Sequence, residues 1–242
     1  MLTLERKFVN VLLPITTQCN LQCIFCSQYE PKGTHVPLNE VLKLIDEALK
    51  YEIEAITLYG GEPMLHPNFF DIGSYIKRKK LKSGFITNGT LINEINLPKI
   101  AQSFDAAIIS MHGFEKVHNF LTKSFSFPTT LRALELLNSL ENFYLGVNIT
   151  ITKHNINSFD KFIIFLYKKF PNIKTFILNR VVYDGKNVSK EILLDSKDYK
   201  TFEEKIKVLK EFSIPIEIGI PSEELANKLK IQACSWNEHF KI

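Results

Sequence analysis

Apolar residues along this chain fall into two alternating patterns: short unbroken runs, and stripes spaced by three and four. Residues 8–15 are apolar and β-branched enough for a buried strand. Leu38, Val41, Leu42, Ile45, Ala48 and Leu49 then recur at helical spacing and lead into a second apolar run at 53–59. The same order repeats. It predicts helices over 68–79, 92–103, 129–140, 158–170 and 199–212, and strands over 84–87, 106–111, 144–152, 175–183 and 214–218. Residues 113–126 and 184–194 read as long loops at strand ends.

Six strand-helix units and part of a seventh, joined by short connections, imply parallel strands with right-handed crossovers. The fold class is therefore α/β, either a doubly wound sheet or a complete or partial barrel. Both architectures place their active sites at the C-terminal ends of the strands. A genuine site must then gather residues from several strand ends. No Pro/Gly/Ser-rich linker, duplication or low-complexity stretch divides the chain.

Composition narrows the class without naming a partner. The 242 residues are 45% hydrophobic and 23% charged, as in a globular protein that buries a core. Their longest apolar runs fall far below the roughly 20 residues that cross a bilayer. The 30 Lys and Arg are interspersed with 26 Asp and Glu. The basic tetrad Lys77-Arg78-Lys79-Lys80 fits a helix C-terminus, where cations suit the dipole, better than a nucleic-acid patch. Neither a nucleic-acid nor a membrane partner is expected.

Three of the four cysteines fall within eight residues, which points to metal chemistry in a reducing compartment, hence the cytoplasm. Arg6-Lys7, an apolar stretch and Cys19 faintly resemble a lipoprotein signal. Asn10 and Pro14 interrupt that stretch, however, and Thr17-Gln18 is not the small-residue pattern a signal peptidase reads. In Cys19-Asn20-Leu21-Gln22-Cys23-Ile24-Phe25-Cys26 the spacing C-x3-C-x2-C lets three thiolates converge on one centre. Zinc is the plain alternative, but structural zinc takes four ligands and no second cysteine pair follows. A [4Fe-4S] cube held by three cysteines leaves one iron open to a small molecule.

With an aromatic residue before its last cysteine, this motif resembles the signature of radical S-adenosylmethionine enzymes. The resemblance implies a partial (β/α)6 TIM-type barrel with Cys19, Cys23 and Cys26 as cluster ligands. It places S-adenosylmethionine on the fourth iron and Phe25 near its adenine. Tyr59-Gly60-Gly61-Glu62-Pro63, after the second strand, is similar to the family's GGEP segment. Its glycines let backbone approach a ligand, and Gly60, Gly61, Glu62 and Pro63 are implied to meet the methionine ammonium. Thr87-Asn88-Gly89-Thr90 resembles the TNG segment, making Thr87 and Asn88 cofactor contacts.

Ser110-Met111-His112-Gly113 resembles the S-x-D-G segment, so Ser110 would reach the carboxylate or ribose. His112, standing where the family often has aspartate, is read either as a substrate-facing catalytic candidate or as a structural histidine. Glu115, His118 and Asn119 fit the following helix of peptide-modifying members, with Thr122 and Lys123 where those members often carry arginine. On the fifth strand Asn148 is a further cofactor contact, with Lys153 and Asn155 beyond it. On the sixth, strand alternation points either Asn179 or Arg180 inward, not both.

The function implied is reductive cleavage of S-adenosylmethionine to a 5'-deoxyadenosyl radical that abstracts hydrogen from a peptide or small-molecule substrate. The electron would come from a donor such as flavodoxin or ferredoxin, under anaerobic conditions. Peptide maturation is the preferred reading; a glycyl-radical-enzyme activase and a non-catalytic zinc or iron-sulfur binding module are the alternatives. Residues 1–218 are expected to form the barrel and 219–242 a C-terminal extension. The segment around Cys234 resembles the start of an auxiliary-cluster region, although Cys234 as an ordinary buried thiol remains the other reading.

Overall fold

The computed structural model describes residues 10–181, 183 and 187–219, together with the backbone of Ala233–Cys234. Strands β1 (Asn10–Thr16), β2 (Ala55–Gly60), β3 (Lys82–Thr87), β4 (Ala106–Ser110), β5 (Tyr144–Ile151), β6 (Ile173–Arg180), β7 (Ile216–Gly219) and β8 (Ala233–Cys234) lie side by side in chain order, every neighbouring pair parallel. A doubly wound sheet reverses its strand order at a switch point, and this sheet does not. Among the described residues β1 and β8 do not pair, so the barrel is open. The crossovers are α1 (Leu38–Ala48), α2 (Phe69–Arg78), α3 (Leu97–Ser103), α4 (Glu115–Thr122) followed by α5 (Phe127–Asn138), α6 (Phe159–Lys169) and α7 (Ser196–Glu211).

The two-residue period of the strands separates core from lumen. Ala107, Ile109, Leu145, Val147, Ile149, Phe176 and Leu178 face the helices and join the main core. The wholly buried rings of Phe69, Phe85 and Phe104 join it from α2, β3 and the end of α3, with centroids 4.6 to 5.2 Å apart. Each such ring contributes about 2–3 kcal/mol. Ala106, Ile108 and Ile177 form a second, small cluster with Ile86 and Tyr144. Ser110, Asn148 and Asn179, spaced by twos from this inner set, continue the same face to the C-terminal ends of β4, β5 and β6.

Two expectations change. Residues 113–126 are not merely a loop: α4 occupies eight of them, its Val117, Phe120 and Leu121 forming an apolar face too short to stand out in a longer window. Gly113 (φ 150°) precedes the helix, and Lys123 (φ 50°) ends it in the left-handed conformation. In the stretch 184–194, residues 184–186 lie outside the described set, and Lys190–Ile192 form a 3₁₀ turn. The basic tetrad does end α2, with Lys77 on Asp105 at 3.1 Å and Lys79 on Asp46 at 2.7 Å. The expected extension supplies β8, which pairs Cys234 with Gly219. Its remaining residues 220–232 and 235–242 lie outside the described set, so the auxiliary-cluster expectation does too.

Candidate active site at the strand ends

Beyond β1 the backbone runs through Thr17 and Gln18 into Cys19, and this stem is gripped on two sides by residues without side chains. A Cβ on Gly61 would lie 2.0 Å from the Gln18 carbonyl oxygen; one on Gly33 would lie 2.5 Å from the Gln18 nitrogen. Gly60, at φ 136°, leaves a Cβ no space against the Thr16 oxygen. The contact is hydrogen-bonded as well: Gly61 N–H donates to Thr16 O (2.9 Å), Glu62 N–H to Gln18 O (2.7 Å) and Thr17 N–H to Thr34 O (2.9 Å). Further along, Ile24 N–H donates to Leu121 O of α4 at 2.9 Å. Asn20 enters a closed ring with Asn88 and Thr90 at 2.6 to 2.8 Å. The cysteine loop is thus tied to β2, to the end of β3 and to α4.

Cys19, Cys23 and Cys26 line one cavity of about 300 Å³ together with Gly60, Gly61 and Phe25. Among the described residues no three His, Cys, Asp or Glu side chains converge tightly enough for a single ion. All three thiols line the same cavity, where a polynuclear centre would take each on a different iron. Burial, with Cys19 and Cys26 adding to it, pushes the Cys23 thiol up to about 12, and burial likewise raises Cys19. A coordinated cationic centre overrides such values by deprotonating the thiols it binds.

Ser110 and Asn148 are register partners across β4 and β5, and both line this cavity. Asn179 Nδ2 donates to Asn148 Oδ1 at 2.6 Å, which turns the Asn148 Nδ2 toward the open space and answers the Asn179/Arg180 alternative in favour of Asn179. Thr87 and Asn88 also line the cavity, yet their side chains are already engaged, Thr87 with Glu62 and Asn88 with Asn20 and Thr90.

Glu62 and Pro63 are not on the wall. Glu62 is fully buried; Oε1 accepts from Thr87 Oγ1 (2.8 Å) and Met64 N–H (3.1 Å), and Oε2 from Asn88 N–H (2.8 Å). Its carboxylate joins the ends of β2 and β3 through these three donors, with only one of them on Oε2. Burial pushes that carboxyl up to about 7.

His112 lines the cavity at 2% exposure, its Nδ1 accepting from Thr150 N–H at 3.1 Å and its ring edge-to-face with Phe25 at 4.6 Å. Asn155 is structural: it donates to His112 O and Thr150 O, both at 2.8 Å, and accepts from Thr152 N–H. Lys123 is not on the wall, whereas Thr122 is. Ser27, Gln28, Tyr29 and Ile86 on the wall, and Gly33 behind the stem, belong to none of the sequence motifs. The turn Pro31-Lys32-Gly33 so near the cysteines was the one available signal for Gly33.

Residues 13–166 match the Radical SAM superfamily. The tungsten-containing aldehyde ferredoxin oxidoreductase cofactor-modifying protein of Pyrococcus furiosus is 28% identical over 69% of this chain and 47% of its own length. Mycofactocin maturase MftC of Mycobacterium ulcerans is 28% identical over 61% of this chain and 41% of its own. Streptococcus suis SuiB, solved with its precursor peptide SuiA, superposes with a TM-score of 0.76 at 16% identity, over 95% of this chain and 54% of SuiB. The chain therefore spans about half the length of the curated relatives it matches. The SuiB likeness bears on fold alone, a radical SAM partial barrel.

Proposed function

The chain belongs to the radical SAM superfamily, and from that membership together with the cavity we infer that it holds a [4Fe-4S] cluster on Cys19, Cys23 and Cys26 and binds S-adenosylmethionine beside it. The observation that carries the reading is the convergence of all three thiols, Gly60-Gly61, Ser110 and Asn148 on one cavity at the C-terminal ends of β1, β2, β4 and β5. When bound, the pair supplies reductive cleavage of a carbon-sulfur bond to give a 5'-deoxyadenosyl radical. The protein's own work is positional. Gly60, Gly61, Ser110 and Asn148 offer backbone and uncharged polar groups to the cofactor, and Phe25 offers a ring face. Leu21, Ile86 and Phe25 keep the wall apolar and limit access of water.

Glu62 enters this reading as the brace behind the glycines, and Thr87 and Asn88 as wall residues already held by the protein. The substrate is a peptide or small precursor, matured by hydrogen abstraction, and the electron comes from a flavodoxin- or ferredoxin-type donor. The names of the relatives, a cofactor-modifying protein and a maturase, support action on a precursor. Residues 1–218 are the catalytic unit.

Anaerobic reconstitution of the wild-type chain is expected to give about four irons and four sulfides per chain, with dithionite-dependent 5'-deoxyadenosine formation that Cys23→Ala abolishes. Stoichiometric zinc without sulfide, or 5'-deoxyadenosine formation that survives Cys23→Ala, refutes the reading.

A further inference from the structure

Two buried imidazoles lie nearly parallel at the mouth of β4, His112 and His118, their centroids 5.8 Å apart and their planes 14° from each other. His118 Nδ1 receives the N–H of His112, and its Nε2 meets Ser126 Oγ at 3.1 Å. Both of its nitrogens are thereby employed inside the protein. His112 is different. Its Nδ1 receives Thr150 N–H at 3.1 Å, so that nitrogen carries a lone pair and no proton, and the neutral ring must carry its hydrogen on Nε2. No group among the described residues bonds that Nε2, and it is not sealed from the cavity the ring lines. Turning the ring over would forfeit the Thr150 bond, and Phe25 packs against it with centroids 4.6 Å apart.

We propose that His112 is a specificity-determining residue that presents one fixed Nε2–H to an uncharged hydrogen-bond acceptor of the molecule filling the cavity. Three observations define the acceptor. The donor is single and its direction is set by the Thr150 bond. The ring cannot become a cation without breaking that bond, since Nδ1 faces an N–H, and its 2% exposure disfavours the charge as well. The lining residues of the cavity include no Lys, Arg, Asp or Glu, so nothing there offsets a charged group beside His112. An amide or peptide carbonyl, a hydroxyl or a neutral ring nitrogen fits; an ammonium does not. In the next row inward, Ser110 Oγ and Asn148 Nδ2 lack partners among the described residues and extend the same neutral wall. Such an acceptor exists on the nucleoside of S-adenosylmethionine and on a peptide substrate. The choice between those two sources rests on the function proposed above; the donor itself rests on the ring geometry.

The first readout needs no turnover. In the full chain labelled with 15N-histidine and prepared without its cluster, His112 should appear as the Nε2–H tautomer at neutral pH; an Nδ1–H or doubly protonated ring overturns the proposal. The second uses paired variants. His112→Asn keeps an acceptor for Thr150 N–H but is too short to reach the cavity, whereas His112→Gln reaches it with an amide N–H. If the acceptor is on the nucleoside, His112→Asn weakens S-adenosylmethionine binding by about 3- to 10-fold and His112→Gln stays close to wild type, as expected for one neutral hydrogen bond. If the acceptor is on the substrate, S-adenosylmethionine affinity is unchanged in both. N-acetylglycinamide, a blocked neutral amide, then shifts the Nε2–H signal of the wild-type chain while glycinamide, its cationic counterpart, does not. The proposal fails if neither ligand responds to the variants or to the ring. A wild-type chain that takes up no cluster and no S-adenosylmethionine refutes the cofactor reading instead and leaves the tautomer result standing.

Discussion

Gly61→Ala is the sharpest test of how the cysteine loop is placed. The new Cβ would stand 2.0 Å from the Gln18 oxygen, 2.5 Å from its carbonyl carbon and 2.8 Å from the Thr17 oxygen, whereas ordinary contact begins near 3.4 Å. About 1.4 Å of movement must therefore be found, and every atom in the way is backbone. The stem cannot retreat, because Gly33 closes its other side with the Gln18 nitrogen only 2.5 Å from where a Cβ would sit. The Glu62 N–H to Gln18 O bond of 2.7 Å is then stretched or lost. Overpacking of this kind costs about 1–3 kcal/mol and the bond about 1 kcal/mol more. For the site the displacement matters more than the energy. Metal-ligand distances tolerate about 0.2 Å, and Cys19 follows Gln18 directly. The expected outcome of anaerobic reconstitution is a folded Gly61→Ala chain holding well under half the wild-type iron and sulfide. Gly33→Ala should do the same from the opposite side. Wild-type iron content in Gly61→Ala, with an unchanged urea midpoint, refutes the reasoning.

Two further outcomes concern stability. Burial raises the Glu62 carboxyl from 4.5 to about 7, so the folded chain keeps a proton that the unfolded chain releases. The associated stability is complete below about pH 4.5 and is lost as the pH climbs to 7, a total of about 3 kcal/mol. Between pH 5 and 8 the wild type should therefore lose about 2–3 kcal/mol more than Glu62→Gln in urea titrations, and parallel pH profiles would exclude the linkage. His118, brought down to about 4 by burial, acts in the opposite sense below about pH 6.5, but both proteins share it. At the α6–α7 contact, Lys205 Nζ lies 2.6 Å from Asp160 Oδ1 with both side chains largely buried. Lys205→Met should cost about 2–4 kcal/mol by stranding the carboxylate, and adding Asp160→Leu should recover most of it. A double variant no more stable than the single would show that packing, not charge, governs this contact.

What was legible in the sequence is what local chemistry dictates. The three cysteines, the glycine pair and the polar strand ends announce themselves by residue type and spacing, and the two-residue period of β4 and β5 separates Ile109 and Val147 from Ser110 and Asn148 without any tertiary information. What was not legible depends on which backbone lies next to which. The bonds that tie Glu62 to Thr87 and Asn88 exist only once β2 and β3 lie side by side. The glycine pair reads as room for a ligand, yet the backbone closest to it is that of Thr16–Gln18. Gly33 shows in the sequence only as a turn residue, because its role arises once the stem is trapped between it and Gly61. Asn179 and Arg180 are equivalent as letters. They become distinct when β6 pairs with β5 and Asn179 meets Asn148.

The same alternation that defines the cavity also separates its specificity from the stability of the barrel. Along β4 and β5 the outward residues Ile109, Val147 and Ile149 belong to the core, where removing a few methylenes costs about 2–5 kcal/mol. The inward residues Ser110, Asn148 and, one step farther, His112 sit between the lumen cluster and the opening, and their polar atoms meet the cavity. Replacing Ser110 disturbs no internal hydrogen bond among the described residues, and replacing Asn148 disturbs one, to Asn179. A change of ligand preference at Ser110 or Asn148 is therefore energetically cheap for the fold, whereas His112 also holds the buried Thr150 N–H. A change at Gly33, Gly60 or Gly61 is expensive, because those residues place the stem on which the thiols depend. One barrel of this construction can vary the wall its ligand meets and keep the cysteine loop where it is.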